Sequence, residues 1–376
     1  MATFAIPKEL LPDDGRFGAG PSKIRSEALD ALLAVAPTYL GTSHRQATVK
    51  DVVGRVRSGI AELFSIPDGY EVVLGNGGST AFWDIATFCL IEKKSQHLSF
   101  GEFSSKFAQS AQMAPFIEDP IVFTSETGTH PEAVAMAEID CYGLTQNETS
   151  TGVMTKITRP RYDNGNPAEG IVLVDATSAA GGIRVDVGQT DTYYFAPQKC
   201  FGSDGGLWIA IMSPKALERS AAIGASGRYI PPFLDLNIAI ENSKLNQTYN
   251  TPALATLMLL AEQVEWFNTN GGLEWSASRS DASAKILYEW AEASAVADPF
   301  VREPSQRSTV VGTIDFVEGI DAAAIAKVLR ANGIVDTEPY RKLGRNQLRI
   351  SMFPGIDSED VEKLTGCIDY VVQNLS

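Results

Sequence analysis

Histidine and cysteine are scarce in this chain, and each scarcity excludes a class of chemistry. The three histidines, His44, His97 and His130, lie too far apart to form a metal cluster, so no metal is expected. The four cysteines, Cys89, Cys141, Cys200 and Cys367, show no CxxC spacing. That excludes a zinc ribbon and a disulfide frame, and leaves free thiols suited to a reducing cytoplasm. No apolar run can span a bilayer. The longest, around Pro252–Leu260, reads as a buried helix. The opening Met-Ala-Thr-Phe-Ala-Ile-Pro-Lys-Glu lacks the basic-then-apolar order of a secretory signal, so a cytoplasmic location is expected. Positive charge is also in deficit. Lys and Arg number 31 against 46 Asp and Glu, a formal charge of -15 that repels nucleic acid and anionic membrane. An anionic substrate must therefore be captured by local arginines working against the overall field.

What is present fits a two-domain globular protein. The chain has 376 residues, 44% hydrophobic and 20% charged, which is more than one hydrophobic core usually serves. From about residue 48 helical and strand patterns alternate, the signature of an α/β domain with a mainly parallel sheet. A helix is expected over Val49–Phe64, with apolar residues at i, i+3, i+4 and i+7 and a Thr48/Asp51 capping pair. Strands are expected at Glu71–Leu74, His97–Phe100, Ile121–Phe123, Cys141–Thr145, Ile171–Asp175, Thr192–Ala196 and Gly206–Met212. Near residue 262 the rhythm changes. Two long helical patterns, Pro252–Phe267 and Leu273–Ala291, lead into a β-α-β-β-α run: Val310–Phe316, Ala322–Ala331, Ile334–Asp336, Leu348–Phe353 and Ser358–Val372. The expected organisation is an N-terminal segment 1–16, a large domain 17–262 and a small α+β domain 263–376.

Chemistry is suggested where strands end. Gly75-Asn76-Gly77-Gly78-Ser79-Thr80 follows a strand and precedes a helix, so its amides and hydroxyls can hold an anion. It is neither a Walker A loop nor a GxGxxG fingerprint. Asp175 closes the strongest strand, at the edge where α/β sheets bind ligands. On the next strand end stands Lys199, in Pro197-Gln198-Lys199 before Cys200-Phe201-Gly202-Ser203-Asp204-Gly205-Gly206. A desolvated lysine there can form a Schiff base, while a nearby carboxylate keeps a pyridinium nitrogen protonated. Read instead as a solvated loop lysine, it leaves the surrounding glycines unexplained. Asn147-Glu148-Thr149-Ser150-Thr151-Gly152 reads as a polar turn whose Thr149 can donate to a ligand, and Phe103 can stack on an aromatic ring. Asn250-Thr251-Pro252 reads as a helix N-cap with proline at N1, an anion-binding geometry. Two arginine-bearing segments remain: Ser43-His44-Arg45, and Tyr340-Arg341-Lys342-Leu343-Gly344-Arg345 leading to Arg349 inside an apolar strand.

In order and spacing these segments resemble the phosphoserine aminotransferase family of fold-type-I pyridoxal-phosphate enzymes, closest to its actinobacterial branch. The likeness runs from Phe17-Gly18-Ala19-Gly20-Pro21 to Arg349. It implies a mainly parallel seven-stranded sheet and pyridoxal 5′-phosphate as cofactor. Lys199 would carry the cofactor, Asp175 would pair with its pyridine nitrogen, Phe103 would stack on its ring and Thr149 would bond its ring oxygen. Gly78, Ser79, Thr80 and Gln198 would hold its phosphate, joined by Asn250 and Thr251 from the second subunit of a homodimer. His44, Arg45 and Arg349 would bind substrate, with Arg341 or Arg345 as a further contact. The implied reaction moves an amino group between glutamate and 3-phosphohydroxypyruvate, yielding O-phosphoserine. An alanine–glyoxylate-type aminotransferase and a non-catalytic anion-binding protein on the same scaffold are the rival readings. A cysteine desulfurase is disfavoured because Cys367 falls in a helix and Cys200 beside the lysine.

Overall fold

The computed structural model describes residues 4–375. Helices α1 (Ser26–Tyr39) and α2 (Ala47–Leu63) precede β1 (Glu71–Asn76) and α3 (Gly78–Cys89). Then come β2 (Ser95–Ser99), α4 (Glu102–Gln112), β3 (Ile121–Thr124), β4 (Cys141–Thr145) and a short ribbon of β5 (Asn147–Glu148) with β6 (Val153–Met154). The large sheet is completed by β7 (Ile171–Asp175), β8 (Thr192–Phe195) and β9 (Leu207–Met212). Helices α5 (Pro214–Ala225), α6 (Leu236–Lys244), α7 (Leu254–Thr269) and α8 (Gly272–Ala293) follow. The remainder is β10 (Ala297–Pro299), β11 (Val311–Phe316), α9 (Ala322–Ala331), β12 (Gln347–Ser351) and α10 (Ser358–Asn374).

The large sheet has seven strands in the order β1-β9-β8-β7-β4-β2-β3. Pairs among β3, β2, β4, β7 and β8 are parallel, whereas β9 runs antiparallel to both β8 and β1. Both faces of the inner strands are buried, whereas the edge strand β3 exposes Val122 and Thr124, and the two-residue period of a strand divides the faces cleanly. Val172 and Val174 join the apolar cluster that packs α2 and α7, while Ile171 and Leu173 join the cluster containing Phe82 and Trp83 of α3. That register carries Asp175 onward to the Trp83 side. A third cluster, including Ile314, Ile325, Leu329, Leu348, Leu364 and Ile368, lies between the antiparallel sheet β10-β11-β12 and helices α8, α9 and α10.

The N-terminal segment is laced to this smaller sheet. Val335 N donates to Gly15 O at 2.8 Å, Phe17 N to Val335 O at 3.2 Å and Ser351 N to Phe17 O at 3.1 Å. Phe17 is fully buried in the third cluster, and the chain leaving it brings Ala19 and Gly20 to the end of the large sheet.

Several expectations need correction. A helix, α1, precedes the one expected first; Ala28 and Tyr39 are buried and Ala31, Leu32 and Val35 pack on the first cluster, while the exposed Leu29 and Leu33 on the other side blur that stripe in the sequence. α2 is capped by Gln46 without a side-chain bond, so Thr48 and Asp51 form no capping pair. Ile334–Asp336 makes only a single bridge from Val335 to Arg16, and the third strand of the small sheet is β10. α7 begins at Leu254 after Ala253, so Asn250-Thr251-Pro252 is not its N-cap. Residues 147–154 form a ribbon rather than a plain turn.

Candidate functional site

Lys199 stands just beyond β8, buried. Its Nζ donates to Ala19 O at 2.5 Å, and its carbonyl accepts from Ser22 Oγ at 2.5 Å, so the N-terminal segment closes over it. Gly20 is indispensable to that closure. Its φ is +119°, and a Cβ there would lie 2.1 Å from Lys199 Nζ. Removal from water, reinforced by the charge of Arg349, pushes the Lys199 amine down to about 8. An amine in that range is partly neutral at physiological pH and competent as a nucleophile.

Asp175 ends β7, buried, on the same edge of the sheet. One carboxylate oxygen accepts from Trp83 Nε1 at 2.8 Å, and the other from Thr177 N at 2.9 Å and Thr177 Oγ1 at 2.5 Å. Thr177 Oγ1 in turn lies 2.7 Å from Ser79 Oγ in the first turn of α3. These donors favour the ionised form, yet burial outweighs them and holds the carboxyl above its usual range. A buried carboxylate in that condition is suited to a cationic partner, which a protonated pyridine supplies.

The remaining positions divide into two groups. Around Lys199 the structure gathers Phe103, Thr149 and Arg349. Lys199 Nζ lies 5.9 Å from the Phe103 ring centre, which is itself 5.9 Å from the ring of Tyr340. Thr149 is buried, its hydroxyl 2.8 Å from Ser178 Oγ. Arg349 is the partly buried residue of β12; its Nη1 donates to Thr149 O at 3.3 Å, while its Nε is buried without a partner. Gln198 Oε1 is likewise buried and unpartnered. The glycine turn is tied to the same edge by Gly77 N donating to Gly206 O at 3.0 Å, with Gly77 and Gly78 both at positive φ and α3 starting at Gly78. Ser79 is buried and Thr80 exposed.

His44, Arg45, Asn250 and Thr251 form the second group. Asn76 Nδ2 donates to Asn250 Oδ1 at 2.5 Å, Thr251 Oγ1 lies 3.2 Å from His44 Nδ1, and Arg45 bonds Gln247. Arg45, Asn250 and Thr251 are exposed, and no hydrogen bond or ion pair among the described residues joins this group to Lys199. Of the two competing arginines, Arg345 is committed to Asp315 of β11 and lies over Phe300, whereas Arg341 is exposed and makes no ion pair among the described residues.

Sequence reasoning missed Trp83, Thr177 and Ala19. Trp83 follows Ser79 by four residues and so shares its face of α3, and Thr177 follows Asp175 by two, the spacing of an Asx turn. Both signals were present. Ala19 acts through its carbonyl alone, which no side chain announces. All four cysteines are buried. Burial raises the Cys200 thiol and pushes Cys367 up to about 11, which leaves no activated thiolate for desulfurase chemistry.

A desolvated amine and a buried carboxylate awaiting a cation at one sheet edge, with the unpartnered Arg349 Nε of β12 beside Thr149, fit a phosphorylated pyridine aldehyde. The comparisons agree. The aminotransferase class-V family model matches residues 16–364. A phosphoserine aminotransferase from Nocardioides sp. is 62% identical over 370 residues, 98% of each chain. One from Rhodococcus jostii is 61% identical over 374 residues, 100% of this chain and 99% of that one. Among solved structures, a phosphoserine aminotransferase from Cytophaga hutchinsonii gives a TM-score of 0.87 at 23% identity, covering 95% of this chain and 99% of its own. An alanine–glyoxylate aminotransferase from Nostoc sp. gives 0.77 at 18% identity, covering 99% and 97%, a likeness of fold. The chain belongs to the aminotransferase class-V family, whose transaminases work with pyridoxal 5′-phosphate.

Proposed function

We propose that this chain is a phosphoserine aminotransferase, moving an amino group between glutamate and 3-phosphohydroxypyruvate to give O-phosphoserine. The observation that carries the reading is Lys199, an amine buried against Ala19 O and Phe103 with Arg349 close enough to depress it. Full-length identity of about 60% to proteins of that name supports the choice of substrate.

Lys199 would hold the cofactor, Asp175 its pyridine nitrogen, Phe103 one ring face and Thr149 its ring oxygen. Gly78, Ser79, Thr80 and Gln198 would hold its phosphate. When bound, the cofactor supplies an electron sink for the carbanion formed at the substrate α-carbon. Asp175 keeps that sink effective by stabilising a protonated ring nitrogen, and Trp83 and Thr177 fix the carboxylate's direction. Lys199, as a free amine, would take the proton from the substrate α-carbon as base and, as its ammonium, would deliver it to the cofactor's aldehyde carbon, work suited to an amine pushed down to about 8. Arg349 presents its unpartnered Nε to a substrate carboxylate or phosphate.

We infer further that the working unit is a cytoplasmic homodimer. His44, Arg45, Asn250 and Thr251 are gathered near Asn76, with Arg45, Asn250 and Thr251 exposed and none of the four bonded to Lys199 among the described residues. Phe233 and Tyr249, about half exposed, share a small cleft with Asn76. A second copy would cover these rings and receive His44 and Arg45 as phosphate ligands and Asn250 and Thr251 as cofactor ligands. Arg341, free where Arg345 is engaged, is the better candidate for the additional substrate contact.

A glutamate-coupled assay comparing 3-phosphohydroxypyruvate with pyruvate and glyoxylate tests the assignment. The phosphorylated acid should be favoured at least about 100-fold in kcat/KM, the effect of one desolvated charge pair. Equal turnover of the three acids would overturn it.

A further inference from the structure

One buried charge at the site has no part in the mechanism above. Glu148, on β5, is fully buried and makes no ion pair among the described residues, an arrangement that is strongly unfavourable for a carboxylate unless its oxygens are satisfied in another way. Here they are satisfied by one helix terminus and one turn. Oε2 accepts from Phe103 N at 3.1 Å, Ser104 N at 2.9 Å and Ser104 Oγ at 2.8 Å. Oε1 accepts from Ser150 N at 3.1 Å and Ser150 Oγ at 2.7 Å. Phe103 and Ser104 are the second and third residues of α4, so these amides are two of the donors a helix N-terminus leaves free. The helix supplies no cap of its own, because its N-cap residue is Gly101. Gly101 is required by the carboxylate: a Cβ there would lie 2.3 Å from Glu148 Cγ. Ser150 Oγ completes the clamp by accepting from Glu102 N at 3.0 Å.

On the strength of the aminotransferase reading, we infer that Glu148 is a positioning residue for the transfer: it clamps the first turn of α4, which sets Phe103 beside Lys199, and places a buried negative charge between Phe103 and the Thr149 carbonyl that meets Arg349. Thr149, the next residue, is held by the same ribbon and receives Arg349 on its carbonyl. One side chain therefore fixes a ring-stacking residue, a hydroxyl donor and the electrostatic surroundings of both Lys199 and Arg349. Of the charged groups around the Lys199 nitrogen, Arg349, Asp175 and Glu148, only Glu148 has no direct role toward cofactor or substrate. Removing its charge disfavours the protonated Lys199 nitrogen.

The experiment uses the full chain loaded with pyridoxal 5′-phosphate. Three quantities are read for wild type and Glu148→Gln: the pH midpoint of the visible absorption band, the cofactor dissociation constant, and kcat. The variant should show a midpoint lowered by about half a unit or more, as expected for one charge lost at mid-range in a partly screened site. Its cofactor dissociation constant should rise about tenfold, the effect of one charge-assisted hydrogen bond. A Ser104→Ala/Ser150→Ala double variant keeps the charge but loosens the clamp, so cofactor affinity should fall several-fold while the midpoint stays put. If Glu148→Gln lowers only the melting temperature and leaves midpoint and affinity unchanged, Glu148 is a structural cap and the inference is wrong. Should Glu148→Gln fail to fold, the double variant decides, and unchanged cofactor affinity in it refutes the clamp. A wild-type protein that develops no visible band with pyridoxal 5′-phosphate sinks the aminotransferase reading itself, a result distinct from either variant's failure.

Discussion

Lys199 is held in a place that works against its own charge, and this should be measurable as stability. The amine titrates near 10.5 when solvated and is pushed down to about 8 in the folded chain, chiefly by burial and then by Arg349. That difference corresponds to about 3 kcal/mol of destabilisation wherever the unfolded chain is protonated and the folded one is forced to bury a cation or release a proton. The penalty is complete below about pH 8, fades as the pH rises toward 10.5 and is absent above it. Lys199→Met keeps the length and apolar volume of the side chain while removing the titration. It also loses the bond to Ala19 O, worth about 1–2 kcal/mol at any pH where the amine donates. Cofactor-free Lys199→Met should therefore be more stable than cofactor-free wild type at pH 7, by about 1–2 kcal/mol. Between pH 7 and pH 10 the gap should move in favour of the wild type by about 2–3 kcal/mol. Urea unfolding of both proteins at fixed concentration and several pH values checks this, because other titrating groups are common to both and cancel in the difference. A gap constant from pH 7 to pH 10 would mean that the lysine is solvated, and the nucleophile argument would fall with it.

Gly20→Ala puts a methyl 2.1 Å from Lys199 Nζ on a backbone at φ +119°, so it should abolish cofactor uptake, read as loss of the visible band, while the melting temperature drops only slightly. Asp175→Asn removes the charge that a protonated pyridine requires; kcat should fall by about 100-fold or more, with glutamate KM changed much less, in steady-state assays. Trp83→Phe deletes only the 2.8 Å donor to that carboxylate and should lower kcat about tenfold, to be compared directly with Asp175→Asn. Arg45→Ala should raise the KM for 3-phosphohydroxypyruvate but not for glutamate, whereas Arg349→Ala should raise both; the reverse pattern would exchange their assignments.

The parts of the site that were legible in sequence are those attached to an unambiguous strand. Ile171–Val174 is apolar at every position because both faces of the sheet are covered, and this marks Asp175 as a strand end without further information. Thr192–Phe195 does the same for Lys199. Segments whose conformation is set by distant partners were misread. Asn250-Thr251-Pro252 has the composition of a cap, but Asn76 engages Asn250 and Thr251 from 174 and 175 residues away and the helix starts two residues after the proline. Glu148 read as part of a polar turn; its burial was not legible because several of the donors that permit it belong to α4, more than forty residues earlier. The balance of energies explains the division. A fully buried aliphatic side chain contributes about 1.5–3 kcal/mol, so the strands that carry Asp175 and Lys199 are held by many times the roughly 3 kcal/mol that the desolvated amine opposes. Local pattern therefore records the scaffold, which is over-determined, while the strained amine and the buried carboxylate beside it are tolerated only through long-range contacts that leave no periodicity behind.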